Sequence, residues 1–268
     1  MDARQAIAAV FDQTADTYDA LGVDFFGVFA RTLLDDVGPI DGLRVLDAGC
    51  GRGAVLFQAA ERVGPQGSVV GIDLAPQMVT RTEAEATECG IENVSVLVSD
   101  AQEPTVAGPF DVVLSSCVIF FLPNPAAALR AWHSLLTPDG ILGLTTFGGI
   151  DPRWAPIDEL FAPYVPEPLA QSIKASPFNN TDHVNTLVAD AGFADPTSVT
   201  REHDVRFDSP QHWVDWSWSH GQRLFWGLVP ESERDAVTTG ILDHLRTLSE
   251  PDGSVVLHQP VRYTIAWH

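Results

Sequence analysis

The sequence predicts an α/β protein built on a doubly wound, mostly parallel sheet, and three observations carry that prediction. Short apolar runs alternate with amphipathic stretches between residues 41 and 147. A glycine-rich turn follows the first run, and acidic residues close the first three. Strands alternating with helices at this rhythm imply right-handed βαβ units with helices on the sheet faces. The 268 residues, 45% of them hydrophobic, suffice for one domain with a full core.

Taken in order, apolar spacing predicts helices over 3–18 and 25–37, the second with Phe25, Phe26, Phe29, Leu33, Leu34 and Val37 on one side. LRVLDAG (43–49) reads as a buried strand, and AVLFQAAERVG (54–64) as a helix ending at Gly64. SVVGID (68–73) is the second strand; the helix at 76–90 carries Pro76 in its first turn and Gly90 at its end. VSVLVSD (94–100) and FDVVLSS (110–116) are the third and fourth strands, followed by a helix over 125–136 and a fifth strand over 140–147. The rhythm breaks in the proline- and aromatic-rich stretch 148–180. It resumes with a helix capped by Thr181 or Asp182, a strand at 196–207, helices at 209–229 and 231–248, and a final strand at 254–268.

Charge excludes several partners. The formal net charge is -21, with Lys174 the single lysine and the arginines dispersed. Phosphate backbones and anionic membranes need clustered cations, so no nucleic acid or membrane partner is expected. No apolar run approaches the roughly 20 residues of a membrane span. The first residues lack the basic start and apolar block of a secretion signal. Cys50, Cys89 and Cys117 are scattered with no C-x-x-C pair, and histidines show no H-x-x-x-H spacing. A cytoplasmic protein with no metal site is expected.

The glycine turn narrows the ligand. DAGCGRGA (47–54) lacks G-K-[ST], which excludes a P-loop. It matches a dinucleotide fingerprint with Ala54 in the last position, so NAD stays open. Against NAD, Asp47 at the loop mouth would repel a pyrophosphate and attract an ammonium or sulfonium group. Asp73 ends the second strand about 20 residues on, where a carboxylate accepts ribose hydroxyls. Asp100 ends the third, where it can take an adenine amino group beside the Ala101 amide. Adenosine with positive charge and little phosphate describes S-adenosylmethionine.

On these residues the chain resembles the class I S-adenosylmethionine-dependent methyltransferases over about residues 10–147, the later elements fitting the family's usual ending. The D-x-G-x-G-x-G pattern is met by Asp47, Gly49, Gly51 and Gly53; GIDLAPQMV looks like the ribose segment, with Asp73 and with Leu74 and Met78 beside the adenine. SDAQE looks like the adenine segment, with Asp100 and Ala101, and Ser115 in FDVVLSS lies near the methionine end by the same likeness. FDQTADTYDA (11–20) resembles the N-terminal segment of the small-molecule subgroup that includes quinone-biosynthesis enzymes, which implies that Tyr18 closes over the methionine. The resemblance implies a Rossmann-like seven-stranded sheet with its last strand antiparallel, N-terminal helices over 1–40, a cofactor core over 41–147, and lid segments over 148–182 and 208–250. The product would be S-adenosylhomocysteine.

One departure bears on chemistry. Many relatives carry histidine where this chain has Phe120 and Phe121, so the base sometimes placed there is missing; an N-P-P-Y segment of amide and adenine methylases is also missing. The expected acceptor is a small, largely apolar or aromatic metabolite, methylated on carbon or oxygen in secondary metabolism. Phe26, Phe120, Trp154, Trp213 and Trp216 are candidate pocket walls, and His220 the candidate base. Each has a plainer reading: the acids capping their own loops, Ser115 satisfying a strand end, the tryptophans packing a helix on the sheet. Whole-chain alternatives are a cyclase that uses the cofactor as a scaffold, an NAD-linked oxidoreductase, or a non-catalytic binding partner. The aromatic N-terminal helices close the site in cis or pack on a second copy in a homo-oligomer.

Overall fold

The computed structural model describes residues 3–18 and 21–268. Residues 1–2 and 19–20, which the expected N-terminal segment includes, lie outside the described residues.

Seven strands form one sheet: β1 (Arg44–Ala48), β2 (Ser68–Asp73), β3 (Val94–Val98), β4 (Phe110–Ser116), β5 (Leu136–Phe147), β6 (Ala194–Phe207) and β7 (Val255–Trp267). Their order is β3-β2-β1-β4-β5-β7-β6. The first five pair in parallel, and β7 inserts antiparallel between β5 and β6. The order reverses between β1 and β4, the switch point where α/β ligands bind beyond the strands' carboxyl ends.

The helices are α1 (Ala3–Thr14), α2 (Phe26–Val37), α3 (Ala54–Val63), α4 (Pro76–Glu88), α5 (Pro125–Ser134), α6 (Ala155–Phe161), α7 (Glu167–Lys174), α8 (Thr181–Asp190), α9 (Pro210–Ser219), α10 (Arg223–Trp226) and α11 (Arg234–Thr247). Alternation along the central strands separates two cores. Val45, Val112 and Leu114 join Phe29 and Leu33 of α2 and Leu56 of α3 on one face. Leu46, Val113 and Leu142 join Leu129 and Trp132 of α5 and Val184 of α8 on the other. Strands buried on both faces explain why these runs read as continuously apolar.

Several boundaries differ from expectation. The cap of α8 is Asn180, whose side chain accepts from the Asp182 and His183 amides, rather than Thr181 or Asp182. The first helix ends at Thr14, where the Thr14 hydroxyl takes the Phe11 carbonyl and Thr17 and Tyr18 turn back onto the Thr14 carbonyl. Leu136 leaves the α5 helix to pair with Phe110 and start β5. The single helix expected over 209–229 breaks at His220, which is extended (φ -127°, ψ -166°). Ser219 Oγ and His220 Nδ1 both reach the Trp216 carbonyl, at 2.8 and 3.1 Å, the acceptor that the next helical turn would have used. Side chains competing for backbone acceptors end helices in this way. The break matters because it moves Leu224 off the helical face that carries Trp213 and Trp216.

Candidate active site

The glycine loop joins β1 to α3 above the switch point. Gly49 and Cys50 both donate to the Ile72 carbonyl, at 2.8 and 2.9 Å, which folds the loop back over β2. Gly49, Gly51 and Gly53 all have positive φ (85°, 50° and 85°), a region costly to side chains. A Cβ on Gly49 would lie 2.4 Å from Val118 Cγ2, and one on Gly53 2.6 Å from Phe57, whereas the space above Gly51 is open. Two glycines therefore permit packing and the third leaves backbone open to a ligand. Gly49→Ala should destabilise the fold by about 2–4 kcal/mol, combining backbone strain with overpacking, read as a lowered midpoint of denaturant unfolding.

The acids occupy the edge that the sequence assigns them, in distinct states. Asp47 is 1% exposed. Among the described residues its Oδ2 has no hydrogen-bond partner. Burial, with the Asp73 carboxylate nearby, pushes its pKa up to about 8. Asp73 accepts from the Gly51 amide at 2.9 Å and the Ala75 amide at 2.9 Å; its pKa is raised by burial, opposed by those amides. Asp100 accepts from the Gln102 amide at 2.8 Å and holds Arg4 of α1 at 2.7 Å. Ala101 is fixed from behind, its carbonyl accepting from Trp132 Nε1 at 2.8 Å. Met78 is buried with Ala15 and Ala75, against Phe11 and Tyr18, while Leu74 is half-buried. Ser115 is buried and its hydroxyl donates to the Ala48 carbonyl at 3.0 Å, which stitches β4 to β1 and is the plainer of its two expected roles.

An aromatic cluster joins the two ends of the chain. Tyr18 stacks on Phe26 (centroids 5.5 Å, planes 7° apart) and meets the His220 ring at 4.6 Å. Trp216 stacks on the other side of His220 at 4.6 Å. Thus Tyr18 and Phe26 from the N-terminal segment meet Trp216 and His220 from the far end of the chain. Trp213 lies one turn earlier on α9 and stacks with Trp154 at 5.6 Å. Phe120 meets Phe147 and Phe178 at 5.3 and 6.3 Å and, through Phe121 and Phe11, connects to Tyr18. The Nε1 atoms of Trp154, Trp213 and Trp216 are buried without a partner among the described residues, each a donor whose unmet bond costs about 1–3 kcal/mol.

The imidazole's tautomer follows from its neighbours. Nδ1 of His220 lies 2.7 Å from Ser219 Oγ and 3.1 Å from the Trp216 carbonyl, and Ser219 Oγ itself donates to that carbonyl at 2.8 Å. A lone pair on Nδ1 would face a carbonyl oxygen, so the proton sits on Nδ1.

Comparison with known proteins agrees with the geometry. Residues 40–213 match the family model described as a methyltransferase domain. The nocamycin O-methyltransferase of Saccharothrix syringae is 40% identical over 270 residues, covering 95% of each chain. The chain belongs to the S-adenosylmethionine-dependent methyltransferases. A second relative, aklanonic acid methyltransferase DauC of Streptomyces sp. (strain C5), is 42% identical over 173 residues, 61% of this chain and 79% of that one. The fold is shared with a SAM-dependent methyltransferase from Aquifex aeolicus (TM-score 0.53, 20% identity, 72% of this chain and 91% of that one). Neither a cyclase nor an NAD-linked oxidoreductase is favoured by these relatives.

The methyltransferase's own atoms fit S-adenosylmethionine. The unpaired, buried Asp47 oxygen suits a cationic ligand, and the open face above Gly51 admits one against backbone. Sequence reading missed several residues of this region. Arg4 ties α1 to Asp100, Arg52 donates to the Ala15 carbonyl at 2.6 Å and pairs with Glu85 at 2.7 Å, and Thr82 donates to the Gly51 carbonyl at 2.7 Å. Nothing local marks them, because each acts on a partner far along the chain. Phe25, in the aromatic run that the sequence places on one side of its helix, packs on Trp216 at 5.0 Å. Among the described residues no helix is long and apolar enough to cross a membrane, and no group of His, Cys, Asp or Glu has metal-site geometry.

Proposed function

We propose that this methyltransferase alkylates an acidic oxygen of a small, flat, largely apolar natural product, and that the observation carrying this reading is the meeting of Tyr18, Phe26, Trp216 and His220 from the two ends of the chain. Two relatives, one named for O-methylation and one for methylation of an acid, support oxygen over carbon. In this reading Asp47 holds the cofactor's amino end, Asp73 its ribose, and Asp100 with Ala101 its adenine; Leu74 and Met78 flank the ring. When bound, S-adenosylmethionine supplies an electrophilic methyl group on a sulfonium. The chain's part is to hold the acceptor oxygen in line with that methyl, which can contribute roughly 7–11 kcal/mol, to exclude water with the aromatic walls, and to take the acceptor's proton on His220.

Gly49, Gly51 and Gly53 shape the loop in this scheme, Tyr18 closes over the methionine end, and Phe120, Trp154 and Trp213 extend the acceptor walls. The strongly negative charge opposes nucleic acid, and the site serves a small molecule in the cytoplasm. Titration with S-adenosylmethionine, S-adenosylhomocysteine and NAD tests the cofactor half. Micromolar binding of the first two is expected, weakened about 10- to 100-fold in Asp73→Ala, since a hydrogen bond to a charged group contributes roughly 1.5–3 kcal/mol. Incubation with labelled cofactor and a panel of phenols, enols and carboxylic acids tests the acceptor half. Label appearing only on carbon, or on none of them, would sink it.

A further inference from the structure

Three indole nitrogens, in a row of tryptophans that reaches His220, have no acceptor among the described residues. Trp154, Trp213 and Trp216 are 5%, 2% and 4% exposed, and each Nε1 is buried without a partner among the described residues. The two other buried tryptophans show that this fold can satisfy an indole. Trp132 donates to the Ala101 carbonyl and Trp226 to Ser217 Oγ, both at 2.8 Å. The orphans are also contiguous. Trp154 stacks on Trp213 with planes 29° apart, Trp213 and Trp216 are one turn apart on α9, and Trp216 stacks on His220. The row therefore starts at the imidazole and runs away from it.

The donor chemistry limits what can answer them. An indole N–H donates and never accepts, so the complement is an acceptor oxygen. Aromatic faces favour a flat conjugated ring over a flexible chain. The arginine nearest in sequence, Arg153, is held by both Asp151 oxygens, at 2.6 and 3.1 Å among its contacts, so it is not free to serve a carboxylate here. Neutral carbonyl oxygens on a planar ring system satisfy all three conditions.

We propose that Trp154, Trp213 and Trp216 form a donor row that selects planar acceptors bearing ring ketone or quinone oxygens, read on the part of the acceptor remote from the reacting oxygen. This rests on the reading that the enclosure around His220 holds the methyl acceptor. The row sets specificity and takes no part in proton or methyl transfer.

Two probes of equal charge and similar outline test it: anthraquinone sulfonate and anthracene sulfonate, each titrated into the full chain saturated with S-adenosylhomocysteine. The quinone should bind about tenfold tighter or better, because a site with buried donors rejects an analogue that leaves them unpaired. Replacing Trp213 with benzothienylalanine keeps the bicyclic shape and deletes the N–H; it should remove most of that preference by weakening the quinone alone. Ultraviolet resonance Raman of the unsubstituted protein gives a readout independent of folding, since the indole N–H band should move on adding quinone and stay on adding the anthracene. Equal affinities, or a preference that survives loss of the N–H with no Raman shift, would overturn the proposal. Quinone preference without methyl transfer to any acceptor would instead strike the proposed function and leave the donor row standing; methyl transfer to oxygen acceptors without carbonyl preference would do the reverse.

Discussion

Asp47→Asn is expected to make the free protein more stable and nearly blind to its cofactor. The side chain's pKa is raised from 3.8 to about 8 by burial and by Asp73, so the folded state binds more protons than the unfolded state between those values. Stability then falls as pH rises through that window, and is fully present only below the unfolded value. For a group titrating alone the loss at pH 7 is on the order of 4 kcal/mol. Asparagine carries no charge to bury. Its melting temperature should match the parent near pH 4 and exceed it increasingly up to pH 8. Binding shows the opposite sign. A cation selects the ionised carboxylate, so the parent's affinity for S-adenosylmethionine should strengthen towards pH 8 and then level off. A proton should be released on binding at pH 7, visible as a dependence of calorimetric heat on buffer ionisation enthalpy. The variant should bind about 10- to 100-fold more weakly with no such dependence. A destabilised variant, or binding that releases no proton at pH 7, would show that Asp47 is ionised in the free protein and that its partner has been misread.

The loop's acids and glycines stand out in the sequence for a physical reason. Asp47, Gly49, Gly51, Gly53 and Asp73 act through backbone conformation and through charge fixed at strand ends, and both depend on residues adjacent in the chain. The parallel sheet is legible for the same reason, since each βαβ unit is local. The antiparallel insertion of β7 between β5 and β6 came from the family likeness alone; nothing in residues 254–268 specifies which neighbours they choose. The acceptor half is long-range throughout. Periodicity puts His220 on a continuous helical face, yet it sits at a break in that helix, where its ring and Ser219 Oγ take the Trp216 carbonyl. Phe120 packs with Phe147 and Phe178 and reaches Tyr18 only through Phe121 and Phe11. Arg4 and Asp100 are 96 residues apart, and no periodicity links them.

His220→Gln carries the second large expected effect, on catalysis rather than binding. A positioned base typically contributes 10²–10⁴-fold. Nδ1 is engaged by Ser219 Oγ and the Trp216 carbonyl, and glutamine offers no base comparable to an imidazole. For a phenolic or enolic acceptor, kcat/KM should fall about 100-fold or more, with cofactor affinity unchanged. Ser219→Ala keeps the imidazole but frees it to rotate. It should lower kcat by about tenfold, in line with the loss of a group that orients another. The two variants therefore separate a proton acceptor from its support. A carboxylic acid acceptor gives the internal control, because it is already ionised at neutral pH and needs no base. If His220→Gln slows transfer to a carboxylate as much as to a phenol, the imidazole is acting as an aromatic wall between Tyr18 and Trp216, and catalysis here is orientation alone.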